Sequence, residues 1–319
     1  MNICLINPSL FSSSKLSPNI GDHIISRASH RELKKIFGND VKINEIASHS
    51  FLDFNGIKLL KKSDLNIVGG SNLLWFRMFP PASWPIGPIE LINYSDLVLM
   101  GVGWGAYDIK AGFYSKFVAN KILSSTYIHS LRDDYTTEIC KNNLDLNNSI
   151  NTGCHTTWHL SESKIKYSKS KSDMCVFSLT DYDKSPKEDL ELINHLSLLY
   201  EDNIILWPQG AGDLNYAKSL GYTGKYIEPN LDSYIQFLEN TQSVDYIGTR
   251  LHAGILALEY GLNTLIIAID NRAIEISKDI NLPILNRNHI THLKDSILNG
   301  FEINLKFNKD AISTWKNQF

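Results

Sequence analysis

The sequence predicts an α/β protein made of two Rossmann-like domains with parallel sheets. Short β-branched runs alternate with longer amphipathic patterns, as expected of parallel strands joined by crossover helices. At 319 residues the chain exceeds the size at which one hydrophobic core usually stops growing. The alternation also runs twice, before and after a polar stretch from Ser161 to Asp173 (SESKIKYSKSKSD) that reads as a linker. The expected domains are 1–165 and 166–319.

In chain order, NICLIN (2–7) is the first strand. HIISRASHRELKKIF (23–37) follows as an amphipathic helix that Gly38 closes. LNIVGG (65–70), DLVLMGVG (96–103) and TYIHS (126–130) continue the first series. The second series has strands at MCVFSL (174–179), NIILWP (203–208), KYIE (225–228), VDYIG (244–248) and TLIIAID (264–270), with a helix at LDSYIQFLEN (231–240). In GTRLHAGILALEYG (248–261), Thr249 suits a helix N-cap and Gly261 the stop, and Leu251, Ile255 and Leu258 share one side.

A hydrophobic content of 43% is ordinary for a globular protein, and a net charge of −3 argues against a chain that coats nucleic acid or an anionic membrane. An anionic small molecule needs only a local basic cluster. The start, MNICLINPSL, lacks a secretory pattern, and no apolar run approaches the roughly 20 residues that span a bilayer. Cys4, Cys140, Cys154 and Cys175 are scattered without a CxxC spacing, which suits reduced thiols in a cytoplasmic protein.

The distinctive residues fall after strands, where open α/β sheets bind ligands. Asn19, Gly21 and Asp22 follow the first strand, Gly69 and Gly70 end another, Gly101, Gly103 and Gly105 end a third, and Arg132 follows a fourth. In the second series Gln209, Gly210 and Asp213 follow one strand. Thr249, Arg250 and His252 follow another, and Asp270, Asn271 and Arg272 a third. If the two edges face each other, the active site is the cleft between domains.

Each motif has a functional and a purely structural reading. A cation at a helix N-terminus opposes the macrodipole by a few tenths of a kcal/mol unless an anion sits there, and phosphate is the usual guest. Arg250 with His252 then completes an oxyanion pocket; alternatively Arg250 pairs with a carboxylate such as Asp245 and His252 is a core histidine. Asp22 is either a helix-capping residue or a carboxylate that takes a proton from an acceptor hydroxyl. VGGSN and GVGWG look like phosphate-cradling loops without the full GxGxxG spacing, or else their glycines permit close backbone approach. CHTTWH (154–159) offers a thiol and imidazoles but no obvious fourth ligand, so no metal is expected. Trp75, Trp84, Trp104 and Trp158 lie in expected loops, as sugar-stacking platforms or loop anchors.

Together NIGD, VGG, GVGWG, SLRD and above all GTRLHAGILALEYGLNTLIIAIDNR resemble the polysaccharide pyruvyl transferase family, in the expected order through most of the chain. The resemblance implies a GT-B-like fold, with an acceptor-side first domain and a phosphoenolpyruvate-binding second one. It implies transfer of pyruvate from phosphoenolpyruvate onto two hydroxyls of a sugar in a bacterial polysaccharide or its lipid-linked precursor, forming a ketal. Phosphoenolpyruvate is then the donor substrate, with no cofactor and no nucleic acid, and peripheral association with a membrane-bound precursor is compatible with it. His252 matches the family's functional histidine and Arg132 its functional arginine; relatives often carry Lys where this chain has Arg272. On this reading His252 and Asp22 are catalytic, and Arg250, Arg272, Arg132 and Thr249 hold the donor. Asn19, Gly21, Gly70, Ser71, Gly103 and Trp104 line the acceptor side. The alternatives are a GT-B glycosyltransferase using a nucleotide-sugar, or a non-catalytic relative that binds glycan or scaffolds a complex.

Overall fold

The computed structural model describes residues 1–75, 78, 83–105, 107 and 111–319. The chain divides into two compact units. The first comprises Met1–Ser17, Ile25–Trp158 and Phe307–Phe319, and the second Pro18–Ile24 and His159–Lys306. This differs from a cut at residue 165 in three places, the first being that the boundary falls after Trp158. The C-terminal helix Lys309–Lys316 belongs to the first unit because Trp315 is fully buried there, 5.4 Å from Trp158. Pro18–Ile24 belongs to the second because its backbone is tied to the loop at Gln209, where the Ile20 N–H donates to the Gln209 carbonyl at 2.9 Å.

The first unit is built on β1 (Asn2–Asn7), β2 (Lys42–Ala47), β3 (Leu65–Val68) and β4 (Leu97–Leu99), in the order β2-β1-β3-β4 and all parallel. A further pair, β5 (His129–Leu131) and β6 (Ser149–Asn151), continues it through a bridge from Val102 to Leu131. β1 is an interior strand with its middle buried on both faces, so Ile3–Ile6 read as a continuous apolar run. β2 (KINEIA) lies at the edge with Lys42, Asn44 and Glu45 along it, and those polar residues hide it from a reading that looks for β-branched runs.

Helix α1 (Ile20–Phe37) buries Ile24, Ile25, Ala28 and Leu33. It stops at Gly38, whose φ of +85° only glycine adopts readily and whose N–H donates to the Lys34 carbonyl. Helices α2 (Phe54–Lys62), α3 (Pro88–Asn93), α4 (Phe113–Ile122) and α5 (Asp134–Leu144) complete the unit.

The second unit carries β7 (Met174–Ser178), β8 (Ile204–Leu206), β9 (Val244–Gly248), β10 (Asn263–Ala268) and β11 (Ile284–Asn286), all parallel in the order β8-β7-β9-β10-β11. KYIE does not form a strand. It contributes a single bridge from Tyr226 to Leu206, the last residue of the edge strand β8.

Helix α6 (Pro186–Leu199) packs over this sheet, α7 (Asp213–Ser219) follows β8, α8 (Leu251–Glu259) follows β9 and α9 (Asn271–Ile280) follows β10. α8 is buried from Leu251 to Leu258, and Gly254 is required where Ile266 and Tyr246 press on it. No helix among the described residues is long and apolar enough to cross a membrane.

Candidate active site

In the second unit the loops after β7, β8, β9 and β10 converge at the carboxyl ends of the strands, with Arg250 at their centre. Arg250 is the N-cap of α8, and Thr249 is not; Thr249 instead shares a 2.8 Å hydroxyl contact with Thr180. The Arg250 side chain is 3% exposed. Its Nε donates to the Leu179 carbonyl at 3.1 Å and to Asp213 Oδ2 at 2.9 Å, and its Nη2 to Asp181 Oδ1 at 3.0 Å and to Asp213 Oδ1.

A Cβ at Gly210 would lie 2.1 Å from that Nη2, so the glycine exists to admit the guanidinium. Asp213 also accepts the N–H groups of Gln209, Gly210 and Asp181. Burial still pushes its carboxyl above the usual range, although the Arg250 hydrogen bonds pull it back down. Asp245, the other carboxylate considered for Arg250, is engaged by Ser172, Tyr200 and Asn263.

Arg272 stands in a more open setting, with its side chain 24% exposed. It is held by Asp270, the N-cap of α9, and donates to the Tyr182 hydroxyl at 2.6 Å. The Tyr182 ring in turn lies 4.9 Å from the Arg250 guanidinium carbon. Tyr182 and Asp181 escaped the sequence reading, although they follow β7 by the same strand-end rule that singled out the other loops. His252 is in the first turn of α8 and 7% exposed.

Two buried amides face this region with unfilled valences: Gln209 lacks a partner at Oε1 and Asn271 at Nδ2. Asn19, Gly21 and Asp22 belong to this unit and not, as expected, to the first. Gln209 Nε2 donates to Asn19 Oδ1 at 3.1 Å, and a Cβ at Gly21 would sit 2.7 Å from that same nitrogen. Asp22 lies in the first turn of α1, 8% exposed.

In the first unit the glycine loops admit side chains. A Cβ on Gly70 would meet His155 Cε1 at 2.4 Å, and one on Gly101 would meet His155 Nδ1 at 2.6 Å. One on Gly103 would meet the Arg132 guanidinium carbon at 2.2 Å. Gly70 and Ser71 both have positive φ, and the Ser71 carbonyl accepts the Gly103 N–H. VGGSN and GVGWG therefore make room for His155 and Arg132.

Arg132 is 3% exposed, paired with Asp133 at 2.9 Å and donating to Asn72. His155 is fully buried, with Nε2 against Ser29 Oγ at 2.9 Å and the Ile25 carbonyl at 3.2 Å, and burial pushes its pKa down to about 4. Burial also raises the Cys154 thiol. Among the described residues no group of three or more His, Cys, Asp or Glu is placed to hold a metal ion. Trp84, Trp104 and Trp158 are at most 1% exposed, so they anchor the core, and Trp104 presents no face to a sugar.

The structure thus gathers Thr249, Arg250, His252, Arg272, Asn19, Gly21 and Asp22 in the second unit. Gly70, Ser71, Gly103, Trp104 and Arg132 fall in the first.

A model of the family described as polysaccharide pyruvyl transferase matches residues 19–271. Among solved structures, the chain is similar to UDP-GlcNAc 2-epimerase from Methanocaldococcus jannaschii in complex with UDP-GlcNAc and UDP. That likeness has 14% identity and a TM-score of 0.54, over 98% of this chain and 97% of that one. A putative UDP-N-acetylglucosamine 2-epimerase from Listeria monocytogenes is similar at 11% identity and a TM-score of 0.52, over 99% of this chain and 90% of that one. At such identities the likeness shows the fold, which is GT-B-like with two Rossmann-like units. No curated protein matches the sequence.

Proposed function

Because the chain belongs to the polysaccharide pyruvyl transferase family, we propose that it transfers the pyruvyl group of phosphoenolpyruvate onto two hydroxyls of one sugar. The acceptor is a polysaccharide or its lipid-linked precursor and the product a cyclic ketal. The observation that carries this reading is the cationic, polar cluster at the strand ends of the second unit, with Arg272 partly open to solvent and Gln209 and Asn271 holding unfilled valences. Phosphoenolpyruvate carries roughly −2.5 to −3 at neutral pH, since a phosphate monoester's second pKa is near 6. Arg272 and the N-terminus of α8 supply the matching positive field. Arg250, already facing two carboxylates, fixes the loop geometry around them.

Protonation of the donor's methylene carbon turns it into a methyl group and makes C2 electrophilic. One sugar hydroxyl adds to C2, phosphate leaves, and the second hydroxyl closes the ring. Of the two protons the hydroxyls release, one balances the proton placed on carbon and the other leaves with phosphate. His252 serves as the acid or as the group that stabilises the departing phosphate, and Asp22 as the base or orienting group for the acceptor.

The test is incubation with phosphoenolpyruvate and a glycan acceptor, following phosphate release and the mass of the glycan. A pyruvyl mass increment supports the reading. Turnover of UDP-sugars with no reaction of phosphoenolpyruvate would replace it with glycosyl transfer. Arg272→Ala should weaken phosphoenolpyruvate binding about thirtyfold or more by calorimetry, the usual effect of deleting one partner of a close charge pair. Asp22→Asn should leave that affinity nearly unchanged while single-turnover rate falls about 100-fold.

A further inference from the structure

Among the described residues of the first unit, the three most exposed large apolar side chains, Phe113, Phe54 and Ile92, lie on one layer of helices. α1 joins β1 to β2, a step toward one edge of the sheet. α2, α3 and α4 join β2 to β3, β3 to β4 and β4 to β5, all stepping the other way. Right-handed crossovers place opposite steps on opposite faces, so α2, α3 and α4 lie side by side on one face. α2 packs on α3 and α3 on α4.

Their inner sides are buried through Leu60, Val118, Ala119 and Ile122. Their outer sides carry large apolar side chains among the polar ones. Phe113 is 90% exposed, Phe54 84% and Ile92 81%, and Ile89 and Phe117 are more than half exposed. Ile89 and Ile92 are three residues apart on α3, and Phe113 and Phe117 four apart on α4, so each pair shares a face.

Charge within the three helices is predominantly basic. α2 carries Lys58, Lys61 and Lys62 behind its N-cap Asp53, and α4 carries Lys121 and Lys116, the latter paired with Asp145. The single carboxylate in the three helices is Glu90, which is buried and accepts the backbone N–H groups of Leu52 and Gly87. In a chain of net charge −3 this is a local reversal of sign. Exposed Phe and Ile interleaved with Lys suit the boundary between headgroups and acyl chains of an anionic bilayer. A second copy of the chain fits poorly, because a two-fold contact would set the same lysines against each other.

We propose that the outer faces of α2, α3 and α4 dock on an anionic lipid surface, with the phenylalanines and isoleucines inserted and the lysines against headgroups. This is independent of the transfer reaction, and its test does not use activity. The full chain is sedimented with vesicles of phosphatidylcholine alone and of phosphatidylcholine mixed with phosphatidylglycerol. It should pellet with the mixed vesicles and not with the neutral ones.

The triple variant Lys58→Glu/Lys61→Glu/Lys62→Glu should lower that partitioning about tenfold or more, and Phe113→Ser/Phe117→Ser should lower it comparably, with unchanged circular dichroism. Failure of the native chain to pellet would overturn the proposal, as would equal binding by all variants. Light scattering that shows a dimer dissolved by these same variants would assign the surface to a second copy instead.

Discussion

Arg250 shows how one residue's surroundings redirect its meaning. A guanidinium at the start of a buried helix suggests an anion clamp, yet Asp213 and Asp181 already face it. Arg250→Ala strands a buried carboxylate, and breaking a buried pair from one side costs about 3–5 kcal/mol. The expected result is a large loss of stability in urea, beyond any change in donor affinity. A variant as stable as the native chain would refute the structural role. Gly103→Ala makes the complementary point in the first unit. Its Cβ would have to displace the Arg132 guanidinium, and overpacking of this kind costs about 1–3 kcal/mol. Gly38→Ala serves as a control, since nothing lies within 4 Å of that position and its cost comes from positive φ alone.

Among the elements, the C-terminal helix Lys309–Lys316 carries more weight than its position in the chain suggests. Trp315 is fully buried against Trp158, and Lys316 reaches Glu32 on α1 at 2.6 Å and lies 5.2 Å from the Trp158 ring. Glu32 is fully buried, and Lys316 together with Lys35 and Arg31 holds its carboxyl below the usual range against the opposing effect of burial. Trp315→Ala should therefore destabilise the first unit by about 3–5 kcal/mol, as large aromatic truncations do. Hydrogen exchange localises the effect: protection should fall in β1 and α1, and unchanged protection there would mean the helix is dispensable.

For the molecule as a whole, the two units should respond differently to acid. His129 and His155 are both fully buried in the first unit, and burial pushes each pKa from 6.5 down to about 4. His129 accepts the Leu99 N–H at Nδ1 and donates from Nε2 to the Ser124 carbonyl, an arrangement that requires the neutral ring.

A depressed histidine contributes stability that is full above its unfolded pKa and is lost as pH falls. The loss therefore runs from about 6.5 to about 4, amounting to about 3 kcal/mol for each ring at most. In the second unit burial raises Asp189 and Asp213, and that contribution has the opposite sign: it is present at low pH and lost as pH rises. Acidification should thus open the first unit before the second. Hydrogen exchange followed between pH 7 and pH 4 (roughly the span of these shifts) checks this, and simultaneous opening of both units would contradict it. His155→Gln should flatten the acid slope of the first unit.

The α/β class, the two-fold repetition of the strand-helix pattern and the strand-end addresses of Arg250, His252 and Arg272 are all written in local sequence. Those follow from local periodicity and from the rule that parallel strands end at a loop-rich edge, so the body of α1 from His23 to Phe37 and its Gly38 stop were legible, while its first turn from Ile20 was not. The edge strand β2 was not, because its polar residues blur the period.

Which carboxylate meets Arg250, that Gly70, Gly101 and Gly103 admit His155 and Arg132, and that Asn19 to Asp22 associate with the second unit emerge from the folded chain alone. Each of those depends on groups far apart in sequence, up to 190 residues for Asn19 and Gln209. A local pattern records what a residue can do in its own helix or turn. Which distant atom fills the space beside a glycine, or neutralises a buried cation, is set by packing.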